Sequence, residues 1–116
     1  MSRILVVEDD PVLGDGVKCG LEDEGHAVDW VRDGRHASAA LCAERFTAVV
    51  LDLALPRLDG FGVVRQIRLD PTLSATRVIA ISGFAQDRDR EEAQKAGFDQ
   101  FLVKPIDLGF VDSLLG

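Results

Sequence analysis

Ile4-Leu5-Val6-Val7-Glu8-Asp9-Asp10-Pro11 is the stretch that decides the fold. Ile4 to Val7 is an unbroken apolar run, mostly β-branched, and reads as a buried strand. Acids follow it at once, so the strand ends at a polar edge. Asp10 then suits a helix N-cap, and Pro11 the first helical position, where a missing N–H is harmless. A strand that runs through a short acidic connection into a helix is the start of a βα unit.

The same unit recurs along the chain. Leu13, Val17 and Leu21 fall on one face of the first helix, which Gly25 ends. Residues 27–31 form the second strand, and Asp33-Gly34 turns the chain. Ala37, Ala40 and Leu41 line a second helix. Residues 46–51 form the third and most apolar strand. A loop with Pro56 leads to a helix over 61–69 that buries Val64 and Ile67, and Asp70-Pro71 breaks it. The fourth strand covers 78–81, and a charged helix covers 86–96 and ends at Gly97. Residues 101–103 form the fifth strand, and 107–115 a last helix capped by Asp107. Repeated βα units with apolar strands predict an α/β fold, a parallel sheet covered by helices on both faces.

Composition narrows the function. The chain has 116 residues, 47% apolar and 28% charged, which fits one domain over 1–116. Its net charge of −7 argues against nucleic acid as a direct partner, since phosphate binding needs a basic face. No apolar run approaches the ~18 residues of a membrane span. The opening apolar run is too short for a signal peptide. Cys19 and Cys42 form no ligand motif and read as reduced core residues of a cytoplasmic protein. His26 and His36 are far apart and read as exposed, neither a ligand nor a phosphodonor. Gly14-x-Gly16-x-x-x-Gly20 lies inside the first helix behind three acids, so it is no dinucleotide loop. Trp30 reads as a packing or edge residue.

In open parallel sheets, sites gather at the C-terminal ends of the strands. Glu8, Asp9 and Asp10 follow the first strand, and Asp52 the third. Ser82-Gly83 follows the fourth, and Lys104-Pro105 the fifth. Clustered carboxylates repel unless a cation joins them, and Mg²⁺ is held by a few carboxylates with water and phosphate oxygens. Glu8, Asp9 and Asp52 therefore form a candidate Mg²⁺ site that Mn²⁺ can also fill. Asp10 is read as a cap rather than a ligand. Lys104 supplies a compact positive charge and Ser82 a hydroxyl, the set that phosphoryl transfer to an aspartate needs.

These segments resemble the receiver domains of response regulators. Residues 4–10 resemble the family's acidic opening, and Leu51-Asp52-Leu53-Ala54-Leu55-Pro56-Arg57-Leu58-Asp59-Gly60 its phosphoacceptor loop. Ile79-Ala80-Ile81-Ser82-Gly83 and Phe101-Leu102-Val103-Lys104-Pro105 resemble its hydroxyl strand and its lysine–proline corner. The resemblance spans essentially the whole chain. It implies a flavodoxin-like doubly wound (βα)5 fold with a five-stranded sheet in the order 2-1-3-4-5. It implies that Asp52 is phosphorylated by a histidine kinase or histidine phosphotransfer protein. Asp9 and Asp52 would bind Mg²⁺ by their carboxylates, Glu8 largely through water, and Ala54 through its backbone carbonyl. Ser82 and Lys104 would bind the phosphoryl group, and Phe101 would be the aromatic switch. A protein target would dock on the fourth helix, fifth strand and fifth helix, and the chain would be a monomer or a phosphorylation-dependent dimer.

The resemblance has departures. Phe101 has no hydroxyl to donate. Ala54 has no side chain to orient an attacking water, and Phe84 is bulky, which together imply slow autodephosphorylation. Ala54 also argues against aspartyl-phosphate phosphatases and phosphomutases, which use an aspartate two residues after the nucleophile. The chain is expected to be a phosphoacceptor rather than a turnover enzyme. The alternative is a degenerate receiver that acts only as an interaction module. Ser82-Gly83-Phe84 and Lys104-Pro105-Ile106-Asp107 resemble receivers attached to hybrid kinases, so a stand-alone or hybrid-kinase receiver is expected, and the short length implies output passed to another molecule or a missing part of the chain.

Overall fold

The computed structural model describes residues 2–53, 60–73, 75–82, 91 and 94–103. The elements are β1 (Arg3–Val7), α1 (Pro11–Asp23), β2 (Ala27–Val31), α2 (Gly34–Ala43), β3 (Ala48–Asp52), α3 (Gly60–Leu69), a 3-10 turn (Pro71–Leu73), β4 (Arg77–Ser82) and β5 (Gln100–Val103). All neighbouring strands are parallel, in the order β2-β1-β3-β4-β5. This is the expected α/β fold and the expected strand order.

Strand alternation sends successive side chains to opposite faces, and the core divides accordingly. Leu5, Val7, Val49, Leu51, Val78 and Ala80 pack with Ala37 and Leu41 of α2 and with Val63, Val64 and Ile67 of α3. Ile4, Val6, Val28, Val50, Ile79 and Ile81 pack with Val17 and Leu21 of α1. The central strands are buried on both faces, which is why they read as unbroken apolar runs.

The caps of α1 follow from sequence. Asp10 Oδ1 accepts hydrogen bonds from the amides of Val12 at 2.9 Å and Leu13 at 3.4 Å. At the other end Gly25 adopts φ +94, which an L side chain resists. Its N–H bonds the Glu22 carbonyl, and the His26 N–H bonds the Leu21 carbonyl, closing a Schellman motif.

Several expectations need correction. Asp33-Gly34 is a helix start rather than a free turn: the Asp33 side chain caps α2 through the His36 amide at 2.9 Å. β3 begins at Ala48, not residue 46, although Phe46 is buried. Asp52 and Ser82 are the last residues of their strands rather than the first beyond them. Both cysteines are exposed, not in the core. Cys19 falls between Val17 and Leu21 in sequence, so helical rotation carries it off the buried stripe. Cys42 lies one step past buried Leu41 and points away likewise. His26 is half-buried rather than exposed, because it follows the closing glycine of α1 and leads into β2. Of the helix expected over 86–96, residues 91 and 94–96 are helical, and Gly97 follows at φ +110. The rest of that helix and the one expected over 107–115 lie outside the described residues.

Candidate functional site

Register builds the acidic site. β1 and β3 pair with Val7 opposite Leu51. Glu8 and Asp52, each one residue further on, therefore leave the sheet side by side. The nearest carboxylate oxygens of Glu8, Asp9 and Asp52 lie within 4.8 Å of one another. Glu8 is 1% exposed and Asp52 2%, while Asp9 is exposed. Carboxylates this close, two of them shielded from water, repel strongly when ionised. The donor set is all oxygen and anionic, which suits Mg²⁺ or Mn²⁺ and disfavours soft metals. The residues present thus fit a hard divalent cation.

The connection that carries Glu8 and Asp9 is held by hydrogen bonds. The Glu8 amide bonds the Val31 carbonyl at 3.0 Å. The Asp10 amide donates to Glu8 Oε1 at 3.1 Å. The Trp30 indole N–H donates to the Glu8 carbonyl at 2.9 Å. Asp10 is committed to capping α1, as its place before Pro11 predicts.

Ser82 ends β4 and is buried. Asp52 pairs with Ile81, so Ser82 stands one step beyond it on the adjacent strand. The Leu53 amide bonds the Ile81 carbonyl at 3.0 Å and keeps the two strand ends aligned. Phe101 of β5 pairs with Ala80 of β4 and is half-buried against the α2–α3 side of the core. The structure thus brings Glu8, Asp9, Asp52 and Ser82 to one edge and sets Phe101 on the next strand. Lys104, Ala54 and Phe84 lie outside the described residues.

The remaining polar groups sit elsewhere. His36 is exposed, with Nδ1 2.8 Å from Asp33 Oδ1. The His36 amide and ring hold the Asp33 carboxyl below its ordinary range. Asp15 beside the Cys19 thiol raises its pKa and so keeps it a poor nucleophile. Sequence reasoning gave Trp30 a packing or edge role but missed its bond to Glu8. Gly14, one helical turn past Asp10, was the available signal for that contact.

Residues 4–113 match the family profile "Response regulator receiver domain". Response regulator protein PmrA of Pseudomonas aeruginosa is 42% identical over 106 residues, covering 91% of this chain and 47% of that protein. The chain spans about half the length of the curated relatives it matches first. Among solved structures, the receiver domain of the sensor histidine kinase PA1611 from Pseudomonas aeruginosa PAO1 superposes with a TM-score of 0.88 at 32% identity. The match covers 98% of this chain and 93% of that one, and its structure holds a magnesium ion in the active site cleft. The chemotaxis response regulator CheY4 of Vibrio cholerae gives a TM-score of 0.90 at 26% identity, covering 99% of this chain and 96% of that one. Among the described residues, no helix is long and apolar enough to cross a membrane.

Proposed function

The chain belongs to the response regulator receiver family, the signalling domains of two-component systems, and from that premise we propose that Asp52 is its phosphoacceptor. One observation carries the reading: a buried carboxylate at the end of β3 lies in an acidic cluster with Glu8 and Asp9. The family implies a histidine kinase as phosphodonor, directly or through a phosphotransfer protein.

In this reading Asp52 attacks phosphorus in line, its carboxylate forming an O–P bond as the donor N–P bond breaks. Asp9 and Asp52 would hold Mg²⁺ or Mn²⁺ with the Ala54 carbonyl, and Glu8 would contribute largely through water. The cation, when bound, offsets the negative charge gathered on the transferring group. Lys104 pairs with a phosphoryl oxygen, and the Ser82 hydroxyl donates to another. Ser82 moving to meet that oxygen would open space for Phe101 to turn inward. That changes the face formed by the fourth helix, β5 and the fifth helix, where a protein target docks.

Acetyl phosphate supplies the test. With Mg²⁺ the intact mass should rise by one phosphoryl group on Asp52, and EDTA should prevent it. After acetyl phosphate is removed, the label should outlast the measurement, since Ala54 offers no group to orient water. A phospho-Asp52 half-life of only seconds would contradict that last point. Failure to label at all would favour the interaction-module reading.

A further inference from the structure

We infer that Trp30 is a positioning residue for the acidic cluster, acting through the Glu8 carbonyl, and that Gly14 supplies the space it needs. The inference rests on the reading of Glu8, Asp9 and Asp52 as a cation site.

Glu8 lies one residue past the last β1–β2 pair, Val7 with Val31. Its amide still bonds the Val31 carbonyl at 3.0 Å. Its own carbonyl receives the Trp30 indole N–H at 2.9 Å. Glu8 is thus fastened to β2 through both main-chain groups, once by backbone and once by a side chain 22 residues away. This fixes the peptide between Glu8 and Asp9, and so the direction in which both carboxylates leave the sheet. A phenylalanine at position 30 would keep an aromatic ring but donate nothing.

The indole has two further neighbours. Arg32 places its guanidinium carbon 5.1 Å from the ring centroid. The ring also lies against α1 at Gly14. A Cβ built at Gly14 would collide with Trp30 Cε2 and Cζ2, and would stand 2.6 Å from the indole nitrogen that bonds Glu8. Any side chain at position 14 therefore displaces the donor itself. Gly16, in the same helix, has nothing within 4 Å of such a Cβ. The requirement for glycine thus belongs to position 14 and not to the helix.

Trp30 is the chain's one tryptophan, so global replacement alters a single site. Growth on β-(3-benzothienyl)alanine keeps the ring's shape and substitutes sulfur for the N–H. Magnesium binding by titration calorimetry should then weaken about three- to ten-fold, the worth of one hydrogen bond. The Asp10 amide, which donates to Glu8 Oε1, should exchange faster, while the amides of Val17 and Leu21 in α1 keep their protection. Gly14→Ala should weaken Mg²⁺ binding in the same direction, and Gly16→Ala should leave it unchanged. An analogue-containing protein that binds Mg²⁺ as tightly as the parent overturns the inference, even if Gly14→Ala fails to fold. Equal weakening by Gly16→Ala also overturns it. If the parent chain itself binds no Mg²⁺, the cation-site reading fails and this inference falls with it.

Discussion

Asp52→Asn should abolish labelling by acetyl phosphate and, without Mg²⁺, should make the chain more stable by about 1–3 kcal/mol. The two effects have one cause. Asp52 is buried within 4.8 Å of two other carboxylate groups. Its charge is needed for nucleophilic attack and for holding a cation, and it is also a source of repulsion in the metal-free protein. Asparagine keeps the shape and removes the charge. Added Mg²⁺ should shrink the variant's advantage. A ligand that binds only the folded state stabilises it by about 2.7 kcal/mol at one hundred times its dissociation constant. The parent chain gains that amount, whereas the variant, with one carboxylate fewer, gains less. Urea denaturation with and without Mg²⁺ measures both halves. Unchanged labelling would refute the phosphoacceptor assignment, and a metal-free variant less stable than the parent would refute the repulsion argument.

Much of this site was legible before any coordinates. Acids standing directly after an apolar run can only be at a strand end, and that placed Glu8 and Asp9. A strand as apolar as β3 that terminates in Asp52 told the same story. The nearness of the two strand ends was not written in either segment alone. It needed the pairing of Val7 with Leu51, which is a property of the assembled sheet. Trp30 shows the same limit more sharply, since its bond to Glu8 exists only because β1 and β2 are neighbours. The cysteines failed for another reason. Residue type suggested the core, but the helical stripe decided exposure, and Cys19 and Cys42 stand off it.

The opposite edge of the sheet holds the fold together, and Arg68→Ala should show this with a loss of about 2–3 kcal/mol in stability and no loss of labelling. Arg68, in the last turn of α3, spreads its guanidinium over the segments that enter β4 and β5. Nε donates to the Gly97 carbonyl at 2.9 Å, Nη1 to the Thr76 carbonyl at 3.0 Å and Nη2 to Asp99 Oδ2 at 2.6 Å. Asp99 Oδ2 also accepts the Val78 amide at 2.8 Å, so the fork closes onto the first residues of β4. The Arg68 side chain is 27% exposed and that of Asp99 46%, so solvent screens the ion pair itself and most of the effect comes from the hydrogen bonds. Gly97 is part of the same arrangement. It sits at φ +110, and a Cβ there would come within 2.9 Å of Arg68 Cγ. Arg68→Lys should recover little, because an ammonium group is a point donor and cannot span three acceptors on the two segments that enter β4 and β5. Strand direction keeps this damage away from the chemistry. The fork grips the ends where β4 and β5 begin, whereas Asp52 and Ser82 stand where β3 and β4 end. Denaturation midpoints should therefore fall while acetyl phosphate still labels the folded fraction. Loss of labelling in a protein that remains folded would mean that the two edges are coupled, contrary to this account.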